Sequence, residues 1–131
     1  MIVLDTHAWV WWVNDPQELS PAANRAIDTA REESAIYVSS ISAWEVALLV
    51  AKGRLQLTMD VEDWMARSEA LPFLNFIPVD NRIAVRSTTL PGTLHSDPAD
   101  RIIIATALAL GAPIVTKDEK IKRYRHVKTV W

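Results

Sequence analysis

The chain contains no cysteine, which rules out disulfide bridges and thiolate metal sites and makes a reducing, cytoplasmic setting the expectation. It also lacks any uninterrupted apolar stretch of about eighteen residues, the length a membrane-spanning helix requires. The apolar start is broken by Asp5 and has no basic segment ahead of it, so neither membrane insertion nor export is expected. No internal repeat, low-complexity tract or polar linker divides the 131 residues. That length supports one domain with a core of its own rather than two, and residues 1–131 are read as a single domain. Half the residues are hydrophobic and 23% charged, the composition of a folded chain. Net charge is scarce too, at −2, but unevenly spread. Residues 1–50 carry seven acids against Arg25 and Arg31, whereas residues 101–131 carry seven basic residues against Asp118 and Glu119. That basic segment is either a solvated tail or a patch facing a polyanion.

The residues present form an alternation of short apolar runs and helical patterns. Ile2 to Leu4 reads as a buried strand, and His7 to Val13 as a short apolar helix ended by Asn14-Asp15-Pro16. Trp9, Trp11 and Trp12 cannot all share one face of that helix. Either one of them faces a partner or groove, or all three lie under neighbouring elements. Ser20-Pro21 opens a second helix, Ala35 to Val38 reads as a strand, and a third helix runs from Ser42 to Gly53. Val61 to Ala70 is helical with Trp64 and Met65 inward, Leu74 to Val79 a strand interrupted by Pro78, and Asn81 to Thr89 a brief helix. A loop carrying His95 then leads to DPADRIIIATALALGAPIVTKD, a capped buried helix stopped by Gly111 and Pro113 and followed by the strand Ile114-Val115. A basic turn and a last strand, Val127 to Val130, complete the chain. Strands alternating with helices predict an α/β fold, a mostly parallel sheet covered on both faces.

On this reading Asp5, Glu45, Asp100 and Asp118 each lie just past a strand or in the first turn of a helix, positions that gather at the carboxyl edge of a parallel sheet. Singly, each acid has a plain explanation: Ser42-x-x-Glu45 has the spacing of a capping box, Asp97 caps the helix that Asp100 enters, and Asp5 and Asp118 cap the segments after them. Together they would repel one another and raise one another's pKa unless a cation neutralised them. Oxygen ligands without cysteine or an HxxxH pair suit Mg²⁺ or Mn²⁺ rather than Zn²⁺. Such ions keep several waters and bind substrate phosphate, so the chemistry implied is metal-assisted phosphodiester hydrolysis. Thr6 and Thr116, each beside an acid, either orient a carboxylate or cap. Either His95 is a surface-loop residue and Arg101 pairs with Asp97 or Asp100, or these two touch phosphate or stabilise developing charge. Lys117, Lys120, Lys122, Arg123 and Arg125 surround the fourth acid and offer counter-charges to a nucleic-acid backbone.

The blocks IVLDTHAW, SSISAWEVALLVAKGRL, LHSDPADRIIIATAL and IVTKD, in this order and spacing, resemble a PIN-domain ribonuclease of the VapC toxin type. The resemblance spans nearly the whole chain. It implies a three-layer α/β/α fold, Mg²⁺- or Mn²⁺-dependent endoribonuclease activity on RNA, a cognate antitoxin whose tail enters the active groove, and a homodimer. Position by position it carries the family's acids onto Asp5, Glu45, Asp100 and Asp118, with Asp97 an alternative or auxiliary metal ligand. Thr6, His95, Arg101, Thr116 and Lys117, read from the residues themselves, are expected at the substrate. Two rivals compete with it. An aspartyl-nucleophile phosphatase also opens with an acid after its first strand, but needs a second Asp where this chain has His7. A non-catalytic PIN-like module would bind RNA or protein and tolerate loss of any one acid.

Overall fold

Five short strands and seven helices alternate along residues 1–131, all of which are described by the computed structural model. The strands are β1 (Ile2–Leu4), β2 (Ile36–Ser39), β3 (Leu74–Ile77), β4 (Ile114–Val115) and β5 (Thr129–Val130). The helices are α1 (Thr6–Asn14), α2 (Pro21–Glu32), α3 (Ser40–Ala51), α4 (Val61–Glu69), α5 (Asn81–Ser87), α6 (Pro98–Leu110) and α7 (Glu119–Lys122). The sheet runs β3-β2-β1-β4-β5, and every neighbouring pair is parallel. The expected mostly parallel sheet is therefore wholly parallel.

Side-chain alternation along the strands divides the core into two layers. Ile2 and Leu4 of β1 join Ile36, Val38 and Val115 beneath α1, α2, α3 and α4, where the Trp9 and Trp64 rings pack at a tilt, their centres 4.7 Å apart. Val3 and Ile114 point the other way, onto Ile83 of α5 and Ile103, Ile104 and Ala107 of α6. Helices on both faces of the sheet give the three layers that the sequence predicts.

Local signals set most boundaries. Asp97 caps α6 by accepting the Asp100 N–H at 2.9 Å, Pro98 occupies the first turn, and Gly111 closes the helix with φ +67°. Ser20 caps α2, accepting from the Ala23 N–H. β3 stops at Ile77, short of Val79, because Pro78 has no N–H for a further rung. The basic turn after Asp118 winds into one helical turn, and the last strand is confined to Thr129–Val130.

The capping box expected at Ser42 and Glu45 is absent. α3 begins earlier, at Ser40, and its cap is Ser39, whose hydroxyl accepts the Ile41 N–H at 3.2 Å. Ser42 and Glu45 consequently lie inside the helix, with Glu45 in its second turn. Among the tryptophans of α1, Trp9 is buried, while Trp11 and Trp12 are half-buried against Trp131 and Phe73. The exposed tryptophan is instead Trp44 of α3, 56% accessible.

Candidate active site

Chain order reverses at β1: β2 and β3 lie on one side, β4 and β5 on the other. The carboxyl ends of β1 and β4 thus flank a topological switch point, where parallel sheets leave a crevice. Asp5 follows β1 and Thr116-Lys117-Asp118 follows β4, so the register of the two strands sets these residues side by side. The Asp5 N–H donates to the Val115 carbonyl at 3.0 Å.

Asp5 is only 7% exposed, and both its oxygens are engaged. One accepts the Thr6 N–H at 2.8 Å, which caps α1, and the other accepts the Thr116 hydroxyl at 2.7 Å. Burial raises the Asp5 pKa, opposed by the Thr116 and Thr6 hydrogen bonds and by His7, and abetted by Asp118. Thr116 works in two directions, since its hydroxyl oxygen also accepts the Asp118 N–H at 3.0 Å. Asp118 in turn caps α7, accepting from the Lys120 and Ile121 N–H groups.

Glu45 comes from α3 on the far side of Thr6. The Thr6 hydroxyl lies 2.6 Å from the Glu45 carboxylate and 2.8 Å from the Ser42 hydroxyl. Having one proton, it gives that proton to the carboxylate, which leaves the buried Ser42 to donate to Thr6. Burial raises the Glu45 pKa, Thr6 lowers it, and Asp5, Asp100 and Asp97 raise it further. Asp100, in the first turn of α6, is pushed up to about 6, chiefly by burial, with His95 opposing and Asp5, Asp97 and Asp118 adding to the rise. His95 Nε2 lies 2.7 Å from Asp100 Oδ2.

The four sequence-predicted acids therefore feel one another across the crevice, and Thr6 and Thr116 orient carboxylates there. Asp97 stands exposed at the rim. Arg101 departs from expectation by pairing with neither Asp97 nor Asp100. Its guanidinium donates to backbone carbonyls instead, at 2.8 Å to Ser87 and 3.4 Å to Leu94 and His95, strapping the loop that carries His95 onto α6. Lys117 is exposed, its ammonium 5.7 Å from the centre of the Trp11 ring. Sequence reasoning missed Ser42 as part of this network, because the S-x-x-E spacing reads as a cap until the true start of α3 is known.

The PIN domain family model matches residues 2–127. The chain belongs to the PIN domain family. Across 99% of its length this PIN domain is 36% identical to Ribonuclease VapC22 of Mycobacterium tuberculosis (strain ATCC 25618 / H37Rv), covering 98% of that protein. Its fold is shared with VapBC2 from Rickettsia felis, solved bound to a DNA fragment from their promoter: TM-score 0.71, 20% identity, 98% of this chain and 97% of that one. A toxin-antitoxin complex from Klebsiella pneumoniae matches at TM-score 0.64 and 20% identity over 96% of this chain and 93% of that one. No helix of this PIN domain is long and apolar enough to cross a membrane.

Proposed function

We propose that this PIN domain is a divalent-metal-dependent endoribonuclease, the toxin of a toxin–antitoxin pair, which hydrolyses RNA phosphodiester bonds at the acidic crevice and is inhibited by a cognate antitoxin. The observation that carries the reading is the crowding of Asp5, Glu45 and Asp100, each held above its ordinary pKa by burial and in part by its acidic neighbours. A relative named as a ribonuclease supports RNA as substrate, and a similar fold solved as a toxin–antitoxin complex supports the antitoxin as partner.

The donor set fits Mg²⁺ or Mn²⁺, being carboxylate oxygens without thiolate. No three acids or histidines are drawn together tightly enough to hold an ion by themselves, so an ion here would need water and substrate oxygens to complete its shell. When bound, such a cation acidifies water and neutralises charge developing on the phosphodiester. In this reading Asp5, Asp100 and Asp118 hold it, with Asp97 auxiliary at the rim. Glu45, turned into the crevice by Thr6 and raised in pKa, is suited to take a proton from the attacking water. Thr116 fixes Asp5, His95 steadies Asp100, Arg101 acts through the loop that carries His95, and Lys117 offers a cation to phosphate. The protein works in the cytoplasm as a homodimer, and exposed Trp44 is compatible with a partnered face.

A second reading has one observation in its favour: Asp5, Asp97 and Asp118 all cap helices, as they would in a non-catalytic binding module. Cleavage of structured and unstructured RNA with Mg²⁺, Mn²⁺ or EDTA separates the two. We expect metal-dependent cleavage that Asp5→Asn abolishes while folding is retained. Wild-type rates persisting in Asp5→Asn would sink the metal role, whereas no cleavage by the wild type with either metal would favour the module.

A further inference from the structure

Away from the acidic crevice, three cavities of about 850, 660 and 450 Å³ meet at His126, which lines all of them. We propose that together they form a track for the backbone of single-stranded RNA, an inference that rests on the ribonuclease reading above. Charge carries the argument. The walls hold Arg82 and Arg86 in the first cavity, Arg123 and Arg125 in the second, Lys128 in the third, and no Asp or Glu in any. Five of the 14 lysines and arginines are thus gathered without one of the 16 acids, in a chain of net charge −2. None of the five is in an ion pair, since the ion pairs are Met1–Glu33, His95–Asp100 and Lys122–Glu119.

The arrangement suits a polyanionic chain better than a lone ion. Arg82 and Arg86, both exposed, stand four residues apart on one face of α5, so their guanidinium groups are neighbours. Arg123 directly follows α7, the helix capped by Asp118, which joins the basic walls to the tip of the acidic crevice. Between the charges lies apolar surface that a base can cover, chiefly Val85, 66% exposed, with half-buried Leu108 beside it. The walls are held in place before any ligand arrives. The Tyr124 hydroxyl donates to the Pro91 carbonyl, and the backbone at Gly92 lies so close to His126 that a Cβ there would stand 2.9 Å from its Nε2. A two-fold contact between copies centred on this face would set arginines against arginines, which favours the polyanion over self-association.

The test is anisotropy of a labelled, unstructured RNA oligonucleotide in EDTA, titrated across about 50 to 200 mM salt. Wild type is compared with Arg82→Gln/Arg86→Gln, with Arg125→Gln, and, as control, with Arg25→Gln at an exposed position of α2. Each single-strand phosphate contact contributes about 0.7 to the slope of log affinity against log salt. The double variant should therefore lose about 1.4 and Arg125→Gln about 0.7, with the control unchanged. Equal slopes in all four proteins overturn the track. So does a double variant that keeps its slope but sediments as a smaller species, which would make the face a contact between copies, and so does affinity for an acidic protein in place of RNA. Cleavage with Mg²⁺, measured in parallel, keeps the readings apart: cleavage with unaltered slopes sinks the track alone, and altered slopes without cleavage of any RNA sink the nuclease alone.

Discussion

At the scale of the residue, the protein spends folding free energy on its own acids. Asp100 is raised from 3.8 to about 6, so the folded state keeps its proton where the unfolded state has lost it. Below about pH 4 both states are protonated and the acid costs nothing. As pH rises from about 4 to about 6 the unfolded chain ionises first, so stability falls, and above that the penalty is complete, with a ceiling of about 3 kcal/mol. Asp5 and Glu45 are raised as well and carry the same sign. In metal-free protein the melting temperature should therefore drop from pH 4 to pH 7, and Asp100→Asn should flatten that drop. Parallel melting curves for the two proteins across this range would show that Asp100 carries no such cost. Asparagine keeps an acceptor for His95, so the variant isolates the charge.

At the scale of the element, two serines three residues apart separate a structural role from a functional one. Ser39 caps α3, whereas Ser42 sits one turn on with its hydroxyl against Thr6, which holds Glu45. Ser39→Ala should cost about 1 kcal/mol in chemical denaturation and leave cleavage by the remaining fold nearly unchanged. Ser42→Ala should cost a similar amount, about 1 kcal/mol, and in addition lower kcat, because the Thr6 hydroxyl loses the donor that settles its direction. Equal kcat in the two variants would remove Ser42 from the site. The same elements show why the S-x-x-E spacing misleads. α3 is apolar nearly all round, so neither its start nor its inward face can be taken from periodicity, and S-x-x-E fits a cap at one start and a hydroxyl network at another. α6 is legible because aspartate, proline and glycine punctuate it at both ends.

At the scale of the whole molecule, the crevice exists only when distant parts of the chain meet: Thr116 reaches Asp5 across 111 positions, and Thr6 reaches Glu45 across 39. A cation held there binds the folded state and not the unfolded one, so Mg²⁺ or Mn²⁺ should raise the melting temperature with concentration, by about 2.7 kcal/mol at a hundredfold excess over Kd. Asp5→Asn should abolish that shift, and an equal rise in the variant would place the ion elsewhere. The α/β alternation and the caps and stops of α2 and α6 are legible from the amino-acid order, because each is written in neighbouring residues. Packing settles the strand order that makes a switch point at β1, the turning of Arg101 onto three carbonyls, the exposure of Trp44 and the meeting of three basic cavities at His126. Those depend on which surfaces come together, and burial, hydrogen bonding and the field of neighbouring charges are properties of contacts between residues far apart in the chain.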